Sequence, residues 1–248
     1  MIIKILVEDD NEIKEHGLSL MIEYDDKKIL FDVGQSDLFL RNGKKMGVDF
    51  TTLDLVVLSH GHYDHGNGLM YLRDLTLLCH PEVFLKRYRP DGSYVGLNLT
   101  KEEINKRFNL MTSKEPYFIT NDICFLGEIM PKLTKYHLSD GTKDYIPDDS
   151  ALVFNTKKGL VIITGCSHSG IENIMLKAKE VFKENKIFAL IGGFHLKEID
   201  KSLDDVINAM KNIDQIYTGH CTSSKVIQYF NKSGLNAKKM KSLMRMEL

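Results

Sequence analysis

Short apolar runs broken by turn signals fill the first third of the chain. Residues 2–7, 18–24, 29–33 and 53–58 are rich in branched side chains and bounded by Gly, Asp or Asn, the pattern of strands. Asp25-Asp26-Lys27-Lys28 marks a hairpin tip, which makes the second and third runs antiparallel neighbours. Residues 151–155 and 160–164, joined by Thr156-Lys157-Lys158-Gly159, predict a second hairpin. Beyond it the period changes. Ile171, Ile174, Met175, Ala178, Val181 and Phe182 recur every three or four residues, which gives a helix one buried face. Ser202-Leu203-Asp204-Asp205 and Thr100-Lys101-Glu102-Glu103 resemble capping boxes. They predict a helix carrying Val206, Ile207, Ala209 and Met210, and a shorter one ending near Leu110. Strands over 187–191 and 215–217 and a helix carrying Val226, Ile227 and Phe230 complete the alternation.

Composition narrows the classes. The 248 residues are 43% apolar and 27% charged, enough for a substantial core beneath a polar surface, which argues against wholesale disorder. With 33 basic and 34 acidic side chains the formal charge is −1, lacking the basic excess that nonspecific nucleic-acid binding needs. The amino terminus turns acidic at Glu8 and Asp9, too soon for a signal peptide, and no stretch matches the length of a spanning helix. Cys79, Cys124, Cys166 and Cys221 form no CxxC pair, so no disulfide framework is expected. These features predict a cytoplasmic protein of one domain, 1–248, with no membrane or nucleic-acid partner.

The stretch from about 81 to 147 is the least regular and is expected to form an insertion. It interleaves Lys86, Arg87, Arg89, Lys101, Lys106 and Arg107 with Phe84, Tyr88, Tyr94 and Phe108. Two readings stand: a solvated segment packed by its aromatics, or a flap that receives an anionic substrate.

The chemistry concentrates at the end of the run 53–58, in Ser59-His60-Gly61-His62-Tyr63-Asp64-His65-Gly66. Three imidazoles and a carboxylate within six residues crowd unfavourably unless a cation organises them. Gly61 lets the backbone turn so that His60 and His62 can approach one ion, while Asp64 and His65 reach a second.

This run resembles the HxHxDH signature of the metallo-β-lactamase superfamily. The resemblance implies an α/β fold, the four-layered αββα sandwich, over nearly the whole chain. Phe31-Asp32-Val33-Gly34 is similar to the superfamily's earlier aspartate-glycine motif, in which Asp32 orients a ligand without being one. Glu15-His16-Gly17-Leu18-Ser19, the run from Ile163 to Gly170 containing Cys166-Ser167-His168, Gly192-Gly193-Phe194-His195 and His220-Cys221-Thr222 resemble the subgroup that includes the archaeal dihydropterin-(ribofuranosyl)aminobenzene-phosphate synthases and uncharacterised bacterial relatives. Gly66-Asn67-Gly68 departs from the usual double glycine, and Ser223 stands where a glycine commonly follows.

The resemblance implies metal ligands at His60, His62, Asp64, His65 and His220. The histidine that usually precedes the later hairpin is replaced by Ile146, and His168 is the candidate for the missing imidazole. Cys166, at the place of the bridging carboxylate, either ligates as a thiolate or packs. His195 is assigned to substrate or to orienting a ligand, with Asp64 as its catalytic companion. His16 falls near the mouth of the site or on the surface, and His80 and His137 receive no role.

Two divalent ions are expected, zinc by ligand type, with manganese or iron as alternatives. Such ions activate a shared water or a pyrophosphate leaving group. The expected activity is therefore a metal-dependent hydrolase or pterin-phosphate synthase-like transferase acting on a small anionic, phosphorylated or pterin-like metabolite. The alternative is a metal-stabilised binding or sensing protein without turnover.

Overall fold

A computed structural model describes residues 1–9, 15–129 and 137–248, the side chains of His137 and Ser202 excepted. The chain opens with β1 (Ile2–Val7), β2 (Ser19–Tyr24), β3 (Lys27–Phe31), α1 (Leu38–Lys45), β4 (Leu55–Val57), α2 (Tyr63–Gly66) and β5 (Leu75–Cys79). It continues through β6 (Arg87–Tyr88), α3 (Lys101–Asn105), β7 (Phe108–Thr112), β8 (Tyr117–Thr120), β9 (Ile123–Phe125) and β10 (His137–Leu138). The remainder is β11 (Ala151–Thr156), β12 (Gly159–Thr164), α4 (Ile171–Phe182), β13 (Ile187–Gly192), α5 (Ser202–Met210), β14 (Gln215–Thr218), α6 (Ser224–Lys232), β15 (Ala237–Lys239) and β16 (Arg245–Glu247).

Two compact units emerge. The first comprises the described parts of 1–114, 134–148 and 241–248; the second those of 115–133 and 149–240. In the first, a mixed sheet runs β16-β1-β2-β3-β4-β5-β7. Its antiparallel part, β16-β1-β2-β3, contains the predicted hairpin, with Leu20 opposite Phe31 and Tyr24 opposite Lys27. From β3 onward the pairing is parallel, Phe31 against Val57 and Val57 against Leu78. Leu6, Met21, Leu30, Phe39, Val56, Leu58, Leu77 and Ile104 belong to its core.

The second unit holds the sheet β15-β14-β13-β12-β11-β9-β8. β12 and β11 form the second predicted hairpin, while β12, β13 and β14 are mutually parallel. Every residue of β12 is buried, as expected of a central strand covered on both faces. Helix α4 turns Ile171, Ile174, Met175 and Ala178 into the same cluster as Val206 and Met210 of α5 and Val226 and Phe230 of α6.

Three local expectations change. The Thr100 capping box forms, with Thr100 accepting from Glu103, but the helix stops at Asn105. Phe108 to Thr112 instead pair in parallel with β5, because an open sheet edge satisfies their backbone groups better than a further helical turn. The cap of α5 is Lys201, so Ser202 already lies inside the first turn. A four-residue helix starts at Tyr63, within the histidine run, and a 3-10 turn over Asn67–Tyr71 follows it directly. The stretch 81–147, expected to be irregular, contributes β7 and β9 to the two sheets; residues 130–136 of it lie outside the described residues. No helix among the described residues is long and apolar enough to cross a membrane.

Candidate functional site

Parallel pairing lines up the carboxyl ends of strands, and the loops that follow them carry the chemistry. In the first unit Phe31 and Val57 are register partners, so Asp32 and the Ser59–His60 turn emerge side by side. Asp32 is fully buried. Its Oδ1 accepts the Ser59 backbone N–H at 2.7 Å. Its Oδ2 accepts the Ser59 hydroxyl at 2.7 Å and faces His65 Nδ1 at 2.7 Å. With Nδ1 committed to the carboxylate, His65 presents Nε2, which lies 3.6 Å from Asp64 Oδ2. His60 is handled the same way: Nδ1 sits 2.9 Å from the Ser59 hydroxyl, and Nε2 lies 2.9 Å from His62 Nδ1. The ring centroids of His60 and His65 are 4.2 Å apart. Thus His60, His62, Asp64 and His65 are brought together, all buried, and Asp32 orients without joining them.

His16 is drawn to the same cluster. Its Nε2 is 2.9 Å from Asp64 Oδ2 and its Nδ1 is 2.6 Å from Asp9 Oδ2, while the other Asp9 oxygen accepts the Gly17 N–H at 2.8 Å. The half-exposed imidazole therefore bridges two carboxylates, a role sequence reasoning left unassigned for Asp9.

A second support holds the loop from behind. A side chain at Gly61 would place its Cβ 2.0 Å from the Val83 carbonyl oxygen, so only glycine fits. The Gly61 N–H donates to Asp148 Oδ2 at 2.7 Å, and Asp148 Oδ1 accepts from Arg87. Arg87 also donates through Nε to Asp144 at 2.7 Å. Arg87 is wholly buried, which removes it from the basic, anion-receiving set; Lys86, Lys101 and Lys106 are exposed. Burial pushes the Asp148 carboxyl up to about 6 against the pull of Arg87 and of the Gly61 amide. Ile146, where the family places a histidine, is buried and offers no ligand atom. His80, given no role, accepts from the Glu82 N–H and caps a short turn. The side chain of His137 lies outside the described residues.

In the second unit Thr164 pairs with Gly192, and Gly192 with Thr218, so three parallel strands end at one level. Cys166 and His168 follow the first, His195 the second, His220 and Cys221 the third. The ligand atoms of Cys166, His168 and His195 lie within 4.8 Å of one another, as do those of Cys166, His220 and Cys221. The rings of His168 and His195 are tilted at 48° with centroids 4.4 Å apart, and Nδ1 of His195 is buried without a hydrogen-bond partner among the described residues. Ser167, His195 and His220 adopt left-handed φ of 58°, 51° and 47°. Such angles cost a non-glycine residue about 1–2 kcal/mol each, and that strain sits where the donors converge. Asp149 anchors this turn, accepting the Ser169 N–H at 2.9 Å and the Ser169 hydroxyl.

Cys221 was assigned no role from sequence. Its Sγ accepts the His195 N–H at 3.2 Å and donates to the Cys166 carbonyl at 3.4 Å. Burial pushes its thiol up, but hydrogen bonds with Cys166 and His195 and the nearby His220 bring it well below the ordinary range.

These donor sets suit a metal ion. They are buried, dominated by imidazole and sulfur, and in the first unit the far nitrogens of His60 and His65 are fixed by a hydroxyl and a carboxylate, as metal-bound imidazoles are.

The fold and these clusters define a metallo-β-lactamase-type protein, and the chain belongs to the metallo-β-lactamase superfamily, whose family model matches residues 14–80. It is 36% identical, across 91% of its length and 92% of the other's, to an uncharacterized protein of Methanocaldococcus jannaschii. It is 32% identical, across 87% and 84%, to the same organism's 7,8-dihydropterin-6-methyl-4-(β-D-ribofuranosyl)-aminobenzene-5′-phosphate synthase. The crystal structure of Tm1679, a metal-dependent hydrolase of the β-lactamase superfamily, matches with a TM-score of 0.87 and 32% identity over 100% of this chain and 99% of that one. The αββα sandwich implied by the sequence is thus its fold class.

Proposed function

We propose that this chain is a metal-dependent enzyme acting on a small anionic metabolite that carries phosphate, of pterin-like character. In this reading His60, His62, Asp64 and His65 are metal ligands of the first unit and His168 and His220 are metal ligands of the second, with two divalent ions in all, zinc by ligand type. The observation that carries it is the anchoring of the histidine loop by Asp32, which takes both the Ser59 backbone and the His65 ring and leaves the opposite nitrogens to ligate. Bound divalent ions supply Lewis-acid stabilisation of an anionic leaving oxygen and activation of water.

The protein's own groups do the rest. Asp64, steadied by His16, orients the attacking group, and His195 offers a buried Nδ1 to a substrate oxygen. The named synthase relative supports the pterin phosphate class, and Tm1679 supports hydrolysis. For this chain the hydrolytic and the synthase-like readings differ in whether water or an organic acceptor takes the transferred group.

Zinc-reconstituted protein offered a dihydropterin pyrophosphate should release pyrophosphate, with an aminobenzene ribofuranosyl phosphate deciding between hydrolysis and transfer. Phosphomonoesters, phosphodiesters, lactones and thioesters complete the screen. No turnover on any of them, alongside tight binding of the pterin, would favour the sensing protein.

A further inference from the structure

We propose that Cys166 and Cys221 both serve as thiolate ligands, with the His220 imidazole, to a borderline-soft metal ion such as zinc or cobalt. This rests on reading the chain as a metalloprotein and adds a residue, Cys221, and a ligand class to it.

Four observations converge. The ligand atoms of Cys166, His220 and Cys221 fall within 4.8 Å of one another, a spacing at which one ion can meet all three. The space for the second sulfur is reserved: a Cβ on Gly193 would stand 2.5 Å from Cys221 Sγ and 2.7 Å from the Gly165 carbonyl oxygen. The His195 amide donates to that sulfur at 3.2 Å, an arrangement that favours the charged form. His220 holds a left-handed φ of 47° that turns two successive side chains out of one strand end.

The other two cysteines provide the contrast. Cys79 packs in the apolar core of the first unit, and Cys124 lies in β9, between Ile123 and Phe125. Neither belongs to either cysteine-containing donor set of the second unit. On binding, each thiol of the pair passes its proton to solvent and forms one sulfur–metal bond, so no oxidant or reductant is needed. Sulfur ligands select zinc or cobalt over magnesium and calcium.

The test uses the full chain reconstituted with cobalt(II), its metal content measured by elemental analysis and its near-ultraviolet absorption recorded. Thiolate-to-cobalt charge transfer should appear in the wild type, lose about half its intensity in Cys166→Ser and in Cys221→Ser, and vanish in the double variant. Cobalt bound without that band would overturn the thiolate assignment while leaving the metalloprotein reading intact. A band unchanged in Cys221→Ser would overturn the role of Cys221. Absence of bound cobalt would sink both readings. Should the serine variants fail to fold, wild-type protein decides. Zinc should shield Cys166 and Cys221 from alkylation by iodoacetamide and a chelator should expose them, whereas equal labelling with and without zinc would overturn the proposal.

Discussion

Asp148 ties the Gly61 backbone to the buried guanidinium of Arg87, one carboxylate oxygen accepting from each. Arg87 keeps Asp144 as a second carboxylate, so removing Asp148 leaves one face of the guanidinium and the Gly61 N–H without their acceptor. Asp148→Ala should therefore cost about 1–3 kcal/mol in urea unfolding. It should also weaken metal binding, since the turn between His60 and His62 loses its rear support. A variant as stable as wild type would show that the pair does not hold the loop.

Asp32 acts through its acceptors alone, so a near-isosteric change isolates its role. Asp32→Asn keeps one oxygen but presents an N–H₂ where the other took the Ser59 hydroxyl or the His65 ring. Metal affinity, followed by competition with a chelator, should fall about 10–100-fold while the fold persists. Unchanged affinity would remove Asp32 from the account.

The pH dependence follows from Asp149. Burial pushes its carboxyl from 3.8 up to about 6 against the hydrogen bonds from Ser169, and its Oδ1 has no partner among the described residues. A raised carboxyl pKa means that the folded state holds the proton more tightly. Its contribution to stability is complete below pH 3.8 and is lost as pH rises through about 6. Wild type should lose stability relative to Asp149→Asn across that interval and level off above it. A stability difference, wild type minus variant, that stays flat or rises across that interval would contradict the assignment.

The structural cysteines should be inert. Burial pushes the Cys124 thiol up to about 12 and the Cys79 thiol higher still. On the order of one Cys124 in ten thousand is then thiolate at pH 8, so neither residue should react with iodoacetamide in the folded protein. Rapid labelling of either would show that its environment is open.

The histidine loop was legible because its chemistry is local: four donors within six residues, after an apolar run, need no tertiary knowledge to recognise. Both hairpins were legible for the same reason. The support of the loop was not, because Arg87 and Asp148 are 61 positions apart and nothing in a run of basic residues marks which one will be buried. Asp9 was hidden in an acidic stretch and acquires meaning only through His16. Cys221 was silent because buried cysteines that pack and those that ligate look alike in sequence. β7 escaped because a capping box fixes where a helix starts, while its end was set by the distant edge of β5.

Metal content bears most directly on the central claim that the buried histidine loop is a ligand cluster. Purified wild type reconstituted with zinc should retain metal through gel filtration, as should His80→Ala, whose imidazole caps a turn. His60→Ala combined with His62→Ala should retain little. Equal metal in the double variant and the wild type would contradict the assignment.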